Sequence, residues 1–543
     1  VLSGRETAER RTRWFLGPAL VVATFVAFLP LLGNQFVNWD DQYTLTGNDR
    51  LAGPGVVAWA FTTTLMGHYQ PLTWLSWALV RALSGVDPFA FHAASLLGHL
   101  VNAILVYVLA LRLFATPVVD ATQRHAGAFA AALLFAIHPM RVEPVAWASA
   151  FPYVLSLGWL LASAFAYLDY GGRESSGSRR RSYILALGCY LLALLSRVTA
   201  IGYPIVLLAL DAHPLRRFDA GRQENRSQRR QRSRWADMVI DKVPFVIAAC
   251  AAAIVESRSR EIAPLEEIGV GARVTMAATA PLTYLGRMLV PLDRSPVDPL
   301  PIAPHVEWEP LMMALAALVS MTFIAWSLRH KWPSLLTGWL AYLALLAPVM
   351  GLTPSGQTAT ADRYTYVPAI ALSMLAGAAV VHLESNLRIR RLSIVTTVIA
   401  ASLLGALTWR QTRWWHDSTA LWSRAAELDP KNDIAAFNLA VTLEQSGRKE
   451  EAISYYEQTL RLIPDHDPAR RALTNLRAER GLALVKEGRF APASADLRAA
   501  LDSRPDDAAL ASALAFALAQ TGRAGESAAV LKQSLARHPD NDE

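Results

Sequence analysis

From Trp14 to Leu32 the chain carries no charged side chain, and ten further apolar runs follow before Trp414. A run of that length is what a helix needs to cross the hydrocarbon core of a bilayer. In lipid every backbone N–H and C=O must find its partner within the protein, which confines a chain with many such runs to a bundle of helices. The runs expected to cross are 14–32, 91–114, 126–137, 154–167, 183–195, 199–210, 243–255, 311–328, 335–349, 367–381 and 394–407. Composition agrees, with 53% hydrophobic residues and 16 tryptophans in 543. The two cysteines, Cys189 and Cys250, sit inside apolar runs and read as packing residues, so no disulfide framework is implied.

Arginine placement orients the runs. Arg10, Arg11 and Arg13 hold the start of the first run in the cytoplasm, and with no small-residue cleavage site after it the run reads as a retained signal-anchor. Later inside loops are marked by Arg173 and Arg179 to Arg181, by the eight arginines from Arg216 to Arg234, by Arg329-His330-Lys331, and by Arg388, Arg390 and Arg391. Ser196-Arg197 divides 183–195 from 199–210, as one interrupted span or a tight hairpin. The loop after them is inside only if both cross. Counting from the two ends gives opposite parities for Arg273 to Leu292, which has Pro281 near its middle. That segment is therefore expected to lie along the extracytoplasmic surface or to re-enter. Eleven crossings then put the C-terminal domain outside.

From Trp414 onward the chain changes character. This part holds 16 Lys/Arg against 20 Asp/Glu, near −4, so the part before it is near +11 of the total +7. The basic surplus belongs to inside loops and does not indicate nucleic acid. Pro430 and Pro464 are 34 residues apart, as are Pro505 and Pro539, and the interval between the pairs is one such repeat with a seven-residue insertion. Gly447, Gly488 and Gly522 mark the turn between two helices of each repeat. Small residues recur before it (Ala440, Gly481, Ala515) and after it (Ala452, Ala493, Ser527), where paired helices approach closely, while Tyr456, Leu497 and Leu531 are expected to fill the layer between repeats. This is the tetratricopeptide pattern. Ser418, Trp422 and Ala425 add the second helix of a half repeat. The domains expected are a polytopic membrane domain over 1–413 and three repeats plus a half repeat over 414–543, all-α throughout, the solenoid offering a face for a protein or peptide.

Chemistry is expected in the first outer loop. Asp40 and Asp41 are adjacent carboxylates at a low-dielectric boundary, where pKa values are pushed apart and one acid can serve as a base near neutral pH. Behind them the loop carries Trp59-Ala-Phe-Thr and His68-Tyr-Gln-Pro-Leu-Thr-Trp74, too aromatic and polar for a span and suited to amphipathic pieces. His92 and His99 are seven apart on one helix face and read as bundle-interior residues.

Five segments carry a family resemblance: Phe36-Val-Asn-Trp-Asp-Asp41, His68-Tyr-Gln-Pro-Leu-Thr-Trp-Leu-Ser76, His138-Pro-Met-Arg-Val-Glu-Pro-Val-Ala-Trp147, Leu207-Leu-Ala-Leu-Asp211-Ala-His-Pro-Leu-Arg216 and Ala361-Asp-Arg-Tyr-Thr-Tyr366. Together with the repeats, and in this order, the chain resembles the transmembrane-and-tetratricopeptide-repeat proteins, including bacterial members. That family is similar to the GT-C protein O-mannosyltransferases. The resemblance implies an integral-membrane enzyme of a bacterial inner membrane. It would take a sugar from a polyprenyl-phosphate lipid and place it on a protein hydroxyl at the extracytoplasmic face, with an aspartate of the first outer loop as base.

A lipid-phosphate leaving group needs fixed cations at the outer boundary, and Arg141, Arg287 and Arg363 are the candidates. His68, His138, Glu143, Asp362 and Tyr364 are further site candidates, and a divalent metal on Asp40 and Asp41 is left open. Where many relatives carry a charged stretch of the type Glu-Arg-Lys-Asp, this chain reads Ala150-Phe151-Pro152-Tyr153. That difference favours the alternative, a non-catalytic membrane scaffold presenting the repeats for protein-protein interaction.

Overall fold

The computed structural model describes residues 4–172, 175–215, 217, 238–260, 262–292, 295–300, 306–383 and 387–537. The chain divides into two compact units, Val1–Leu421 and Trp422–Glu543.

The first unit is a helix bundle. Helix α1 (Gly4–Phe28) is followed by the outer-loop helices α2 (Val56–Thr62) and α3 (Pro71–Ser84), which are short, as expected for amphipathic pieces. α3 starts on proline, whose missing N–H costs nothing in a first turn, and buries Trp74 and Trp77. Then come α4 (Pro88–Leu113) and α5 (Ala121–Ile137), the latter begun by a capping box between Asp120 and Gln123. At His138 the chain bends by 59° into the short α6 (Val142–Ala146). α7 (Phe151–Gly172), α8 (Ser176–Ser196), α9 (Tyr203–Ala212), α10 (Val243–Ser259) and α11 (Val270–Leu289) follow. The unit is completed by α12 (Trp308–Ser327), α13 (Pro333–Leu346), α14 (Ala369–Leu383) and α15 (Leu387–Thr412). A two-stranded antiparallel sheet joins β1 (Asp298–Pro299) to β2 (Thr358–Thr360).

Among the described residues six stretches are long and apolar enough to cross a bilayer: Phe15–Gly33, Pro88–Leu113, Ala148–Gly172, Met238–Ser259, Trp308–Ser327 and Arg390–Trp415. The bent pair Ala121–Ile137 and Pro139–Ala146 makes a seventh if it is one span. The protein is thus an integral membrane protein, but the eleven expected crossings are not all met by length and composition. α8 carries three consecutive arginines, Arg179, Arg180 and Arg181, near its start, while Val198–Ala212, Pro333–Val349 and Ala369–Leu383 are apolar but short. α11, expected not to cross, is absent from the set. Arg173 and most of the Arg216 to Arg234 loop lie outside the described residues.

Packing explains two sequence features. Gly127 on α5 faces Gly377 on α14 so closely that a Cβ on Gly127 would stand 2.6 Å from the Gly377 carbonyl oxygen. Asp211, fully buried, accepts from the Tyr167 hydroxyl (2.9 Å) and Arg217 (3.1 Å) and pairs with Lys242, tying α7, α9 and the start of α10 together. Cys189 is buried as expected; Cys250 instead lies exposed on α10, facing outward from the bundle.

The second unit is the solenoid, introduced by α16 (Ser418–Leu428) across the boundary. It pairs α17 (Asp433–Gln445) with α18 (Lys449–Leu462), α19 (Asp467–Lys486) with α20 (Phe490–Ser503), and α21 (Ala508–Gln520) with α22 (Ala524–Arg537). Gly447, Gly488 and Gly522 all take positive φ, 77°, 74° and 79°, the left-handed turn that glycine adopts without cost. The seven-residue insertion lengthens α19 to 20 residues against 13 in α17 and α21. Seven residues are two turns, so the small-residue face keeps its direction. Gly481 is needed there, since a Cβ would come 2.7 Å from Leu497. Tyr456 and Leu497 are buried between repeats, but Leu531 is 40% exposed, because no further described helix packs over the last repeat.

Candidate active site

The chain leaves α1 through the 3₁₀ turn Leu29–Gly33 and is then pinned along its backbone. The Asn34 amide donates to the Thr412 carbonyl (3.2 Å), Gln35 N–H to that of His416 (2.7 Å) and Asn38 N–H to the Ser418 hydroxyl (2.9 Å). Trp39 stacks on Trp147 (4.8 Å between centroids) and on Trp415 (6.1 Å). This holds the two aspartates in place, and they differ sharply. Asp41 is buried, and its carboxylate accepts from Val37 N–H (2.9 Å), Ser149 N–H (3.0 Å) and the Ser149 hydroxyl (2.5 Å). Burial still lifts it to about 6 against those hydrogen bonds. Asp40 is only partly buried, and none of the described residues donates a hydrogen bond to its carboxylate. Burial first, and then the Asp41 charge, lift Asp40 to about 7 against the pull of Arg363 and Arg197.

The expected cations meet at one turn, Asp362–Thr365, which follows β2. Arg363 pairs with Glu143, its own N–H also donates to Glu143 (3.0 Å), and its guanidinium lies over Trp39, Trp147 and Tyr364 at 5.5, 5.1 and 4.9 Å. Arg287 pairs with Asp298 and with Asp362 (3.1 Å) and donates to Thr360 (2.8 Å). A cleft lined by Glu143, Arg287, Asp298, Asp362, Trp414 and Trp415 opens beside it. Arg141 reaches the same turn through Thr365 (2.9 Å) but is fully buried, between the rings of Phe135 and Tyr366. It faces the bundle interior, near His99, which is satisfied by the Tyr366 hydroxyl (2.7 Å) and the Ala136 carbonyl (2.8 Å). His138 is engaged at both nitrogens, with the Met140 N–H (3.2 Å) and the Met288 carbonyl (3.0 Å). Its geometry is that of a corner post for the bend.

A residue not foreseen completes the cluster. Arg197, at the break after α8, is 8% exposed. It donates to Gln70 Oε1 (3.0 Å) and the Tyr153 hydroxyl (3.1 Å), faces His68 Nε2 at 3.3 Å, and lies 4.8 Å from the Tyr153 ring centroid. These partners carry no negative charge. No carboxylate of the described residues is within ion-pairing distance of Arg197, unlike Arg363 and Arg287. Tyr153 closes the Ala150-Phe151-Pro152-Tyr153 stretch, so that stretch is built into the site. The Tyr153 ring lies 6.4 Å from that of Tyr364, whose hydroxyl is held below the usual tyrosine range by Arg363, Arg260 and Arg197 despite burial. The signal for Arg197 was in the sequence as a lone arginine interrupting an apolar run. Its placement beside His68 also means that α8 and α9 meet at the end of the bundle that holds Asp40, the hairpin arrangement of the two readings of 183–210.

Comparison with known proteins gives two kinds of match. Family models described as tetratricopeptide repeat match residues 404–467 and 484–543. The chain is 25% identical over 529 residues to protein O-mannosyl-transferase TMTC1 of Homo sapiens, covering 86% of this chain and 58% of that one. It is 24% identical over 459 residues to protein O-mannosyl-transferase Tmtc3 of Drosophila melanogaster, covering 73% of this chain and 48% of the relative. A shorter match, 31% over 160 residues, is to TMTC1 of Mus musculus, with 26% of this chain and 16% of the relative covered. The chain spans about half the length of the first two of these relatives. In build it is TMTC-like, a membrane helix bundle followed by tetratricopeptide repeats.

Proposed function

We propose that this protein is a membrane glycosyltransferase of GT-C type. It moves a mannose-like sugar from a polyprenyl-phosphate donor to a protein hydroxyl on the extracytoplasmic face of a bacterial inner membrane, with the repeats recruiting the acceptor. The relatives are named protein O-mannosyl-transferases, and the matches run through the membrane part as well as the repeats. The observation that carries the reading is Asp40, a partly buried carboxylate with no hydrogen-bond donor among the described residues, lifted to about 7, and opposite guanidinium groups.

Asp40 is the better base of the pair. Asp41 spends its carboxylate on Val37 and Ser149 and so shapes the loop. In the reaction Asp40 takes the proton of the acceptor hydroxyl, the acceptor oxygen bonds to the anomeric carbon, and the bond from that carbon to the phosphate oxygen breaks. The lipid phosphate leaves with one added negative charge. A single displacement of this kind inverts the anomeric centre. The departing charge needs a cation whose own charge is not already cancelled. Arg197 meets that need first, with Arg363 shared between Glu143 and the site. Arg287 is balanced by two aspartates and Arg141 points into the bundle, so both support the 362–365 turn. Tyr364 and Tyr153 line the same cluster.

The test is transfer of labelled sugar from polyprenyl phosphate in purified membranes, with Asp40→Asn and Asp41→Asn beside the parent. Asp40→Asn is expected to lower the rate by about a hundred- to ten-thousandfold, the usual cost of losing a general base, with the protein still folded. Full activity in Asp40→Asn removes the base assignment. No turnover by the parent with any polyprenyl donor leaves the scaffold reading.

A further inference from the structure

Around the cluster, Arg363 and Arg287 are held by carboxylates, whereas among the described residues Arg197 and the interior Arg141 are not. Arg363 pairs with Glu143, and Arg287 with Asp298 and Asp362. Arg197 is hydrogen-bonded to neutral acceptors alone, while the Asp40 and Glu256 carboxylates act on it from beyond ion-pairing distance. One of those acceptors is itself controlled. His68 Nδ1 is 2.8 Å from Glu256 Oε1 on α10, and the same oxygen accepts from Arg260 Nε at 2.7 Å, while the other reaches the Tyr69 N–H at 3.4 Å. A carboxylate on Nδ1 places the ring proton there. Nε2 then presents its lone pair, and that is the atom facing the Arg197 guanidinium at 3.3 Å. In the other tautomer two N–H groups would oppose each other. Next to this contact Gln70 takes the other guanidinium nitrogen, and the Thr73 hydroxyl donates to the carbonyl of Ser196 at 2.9 Å. The segment from His68 to Thr73 is a cradle for one arginine.

We propose that Glu256 and His68 form a positioning dyad that aims Arg197 at the donor phosphate without neutralising it. Glu256 keeps its charge one residue removed from the guanidinium, so the orientation comes without a direct ion pair on Arg197. Substituting a carboxylate directly at position 68 would orient Arg197 equally well and cancel it. This rests on the reading of the site as one for a lipid phosphate, and the two can fail separately.

The experiment measures binding of a sugar-free polyprenyl monophosphate to the purified full chain in detergent, by quenching of tryptophan fluorescence, together with donor and acceptor KM in transfer. Variants are His68→Ala, His68→Gln, His68→Glu and Glu256→Gln. His68→Ala and Glu256→Gln are expected to weaken polyprenyl phosphate binding and raise donor KM by roughly ten- to a hundredfold, the usual cost of losing a supporting partner behind a contact residue. Acceptor KM stays within about twofold of the parent, since no acceptor contact is touched. His68→Gln, which restores a neutral acceptor oxygen, recovers most of the affinity, and His68→Glu does not. Binding by the parent with all four variants unchanged, or equal loss in donor and acceptor KM, overturns the dyad alone. A parent that binds no polyprenyl phosphate overturns the phosphate reading and the dyad with it.

Discussion

At the scale of single residues, the sequence located the acidic pair but could not rank it. Adjacent side chains of an irregular segment point in different directions, and only the fold shows Ser149 and Val37 consuming Asp41 while Asp40 is left facing arginine. Arg197 was legible as an anomaly, a charge between two apolar runs, yet its partners come from positions 68–70 and 153, far away in sequence and joined only by packing. His138 was singled out for its motif and turns out to hold a bend. The pH behaviour of the pair follows from the direction of its shifts. Asp40 must be ionised to accept a proton, so transfer should rise with pH as a single ionisation near 7 and level above it. Stability runs the other way. Because the folded state raises the Asp40 pKa above its unfolded value, the protonated form favours folding below about 4, and that contribution is lost as pH rises through about 7. A transfer profile flat from pH 5 to 9 would contradict the assignment of Asp40. His68 should add no ionisation to that window, since burial first and then Arg197 hold it down at about 4.

At the scale of elements, periodicity was read correctly where the chain repeats itself and less well where it does not. The positions of Gly447, Gly488 and Gly522 follow from one spacing, because each repeat solves the same turn in the same way. Leu531 escapes the rule, since burial at that position depends on a following helix and not on the repeat's own residues. In the bundle the close approach of α5 and α14 was invisible in sequence, as one glycine in a helix has no stated partner. Glycine pairs let membrane helices touch backbone to backbone. Gly127→Ala is therefore expected to destabilise the bundle by about 1–3 kcal/mol, because a backbone carbonyl cannot move aside as a side chain can. Gly188→Ala on α8, where nothing stands within 4 Å of the new Cβ, should be neutral or stabilising by up to about 1 kcal/mol. Thermal melts of the two variants in detergent, against the parent, separate these outcomes. Equal melts would mean that α5 and α14 do not meet at their glycines.

At the scale of the whole molecule, the question is which side of the membrane each part occupies. Hydropathy identified the helices but counted more crossings than length and charge support, because short apolar helices packed inside a bundle look like short spans. Orientation rests on arginines, several of them outside the described residues, so the bundle itself must carry the argument. Gln35 and Asn38, just ahead of Asp40, are hydrogen-bonded to His416 and Ser418, just beyond the last long apolar helix, and Trp39 stacks on Trp415. The chain therefore emerges from its last long apolar helix at the end of the bundle where Asp40 sits. Thr46→Cys and Ser446→Cys, each in a Cys250→Ser background, should both react with a membrane-impermeant maleimide added to intact spheroplasts. The same residues in inverted vesicles should be protected. Labelling of one site from outside and the other from inside would separate the repeats from the Asp40 loop, and an acceptor held by the repeats could then not reach the base.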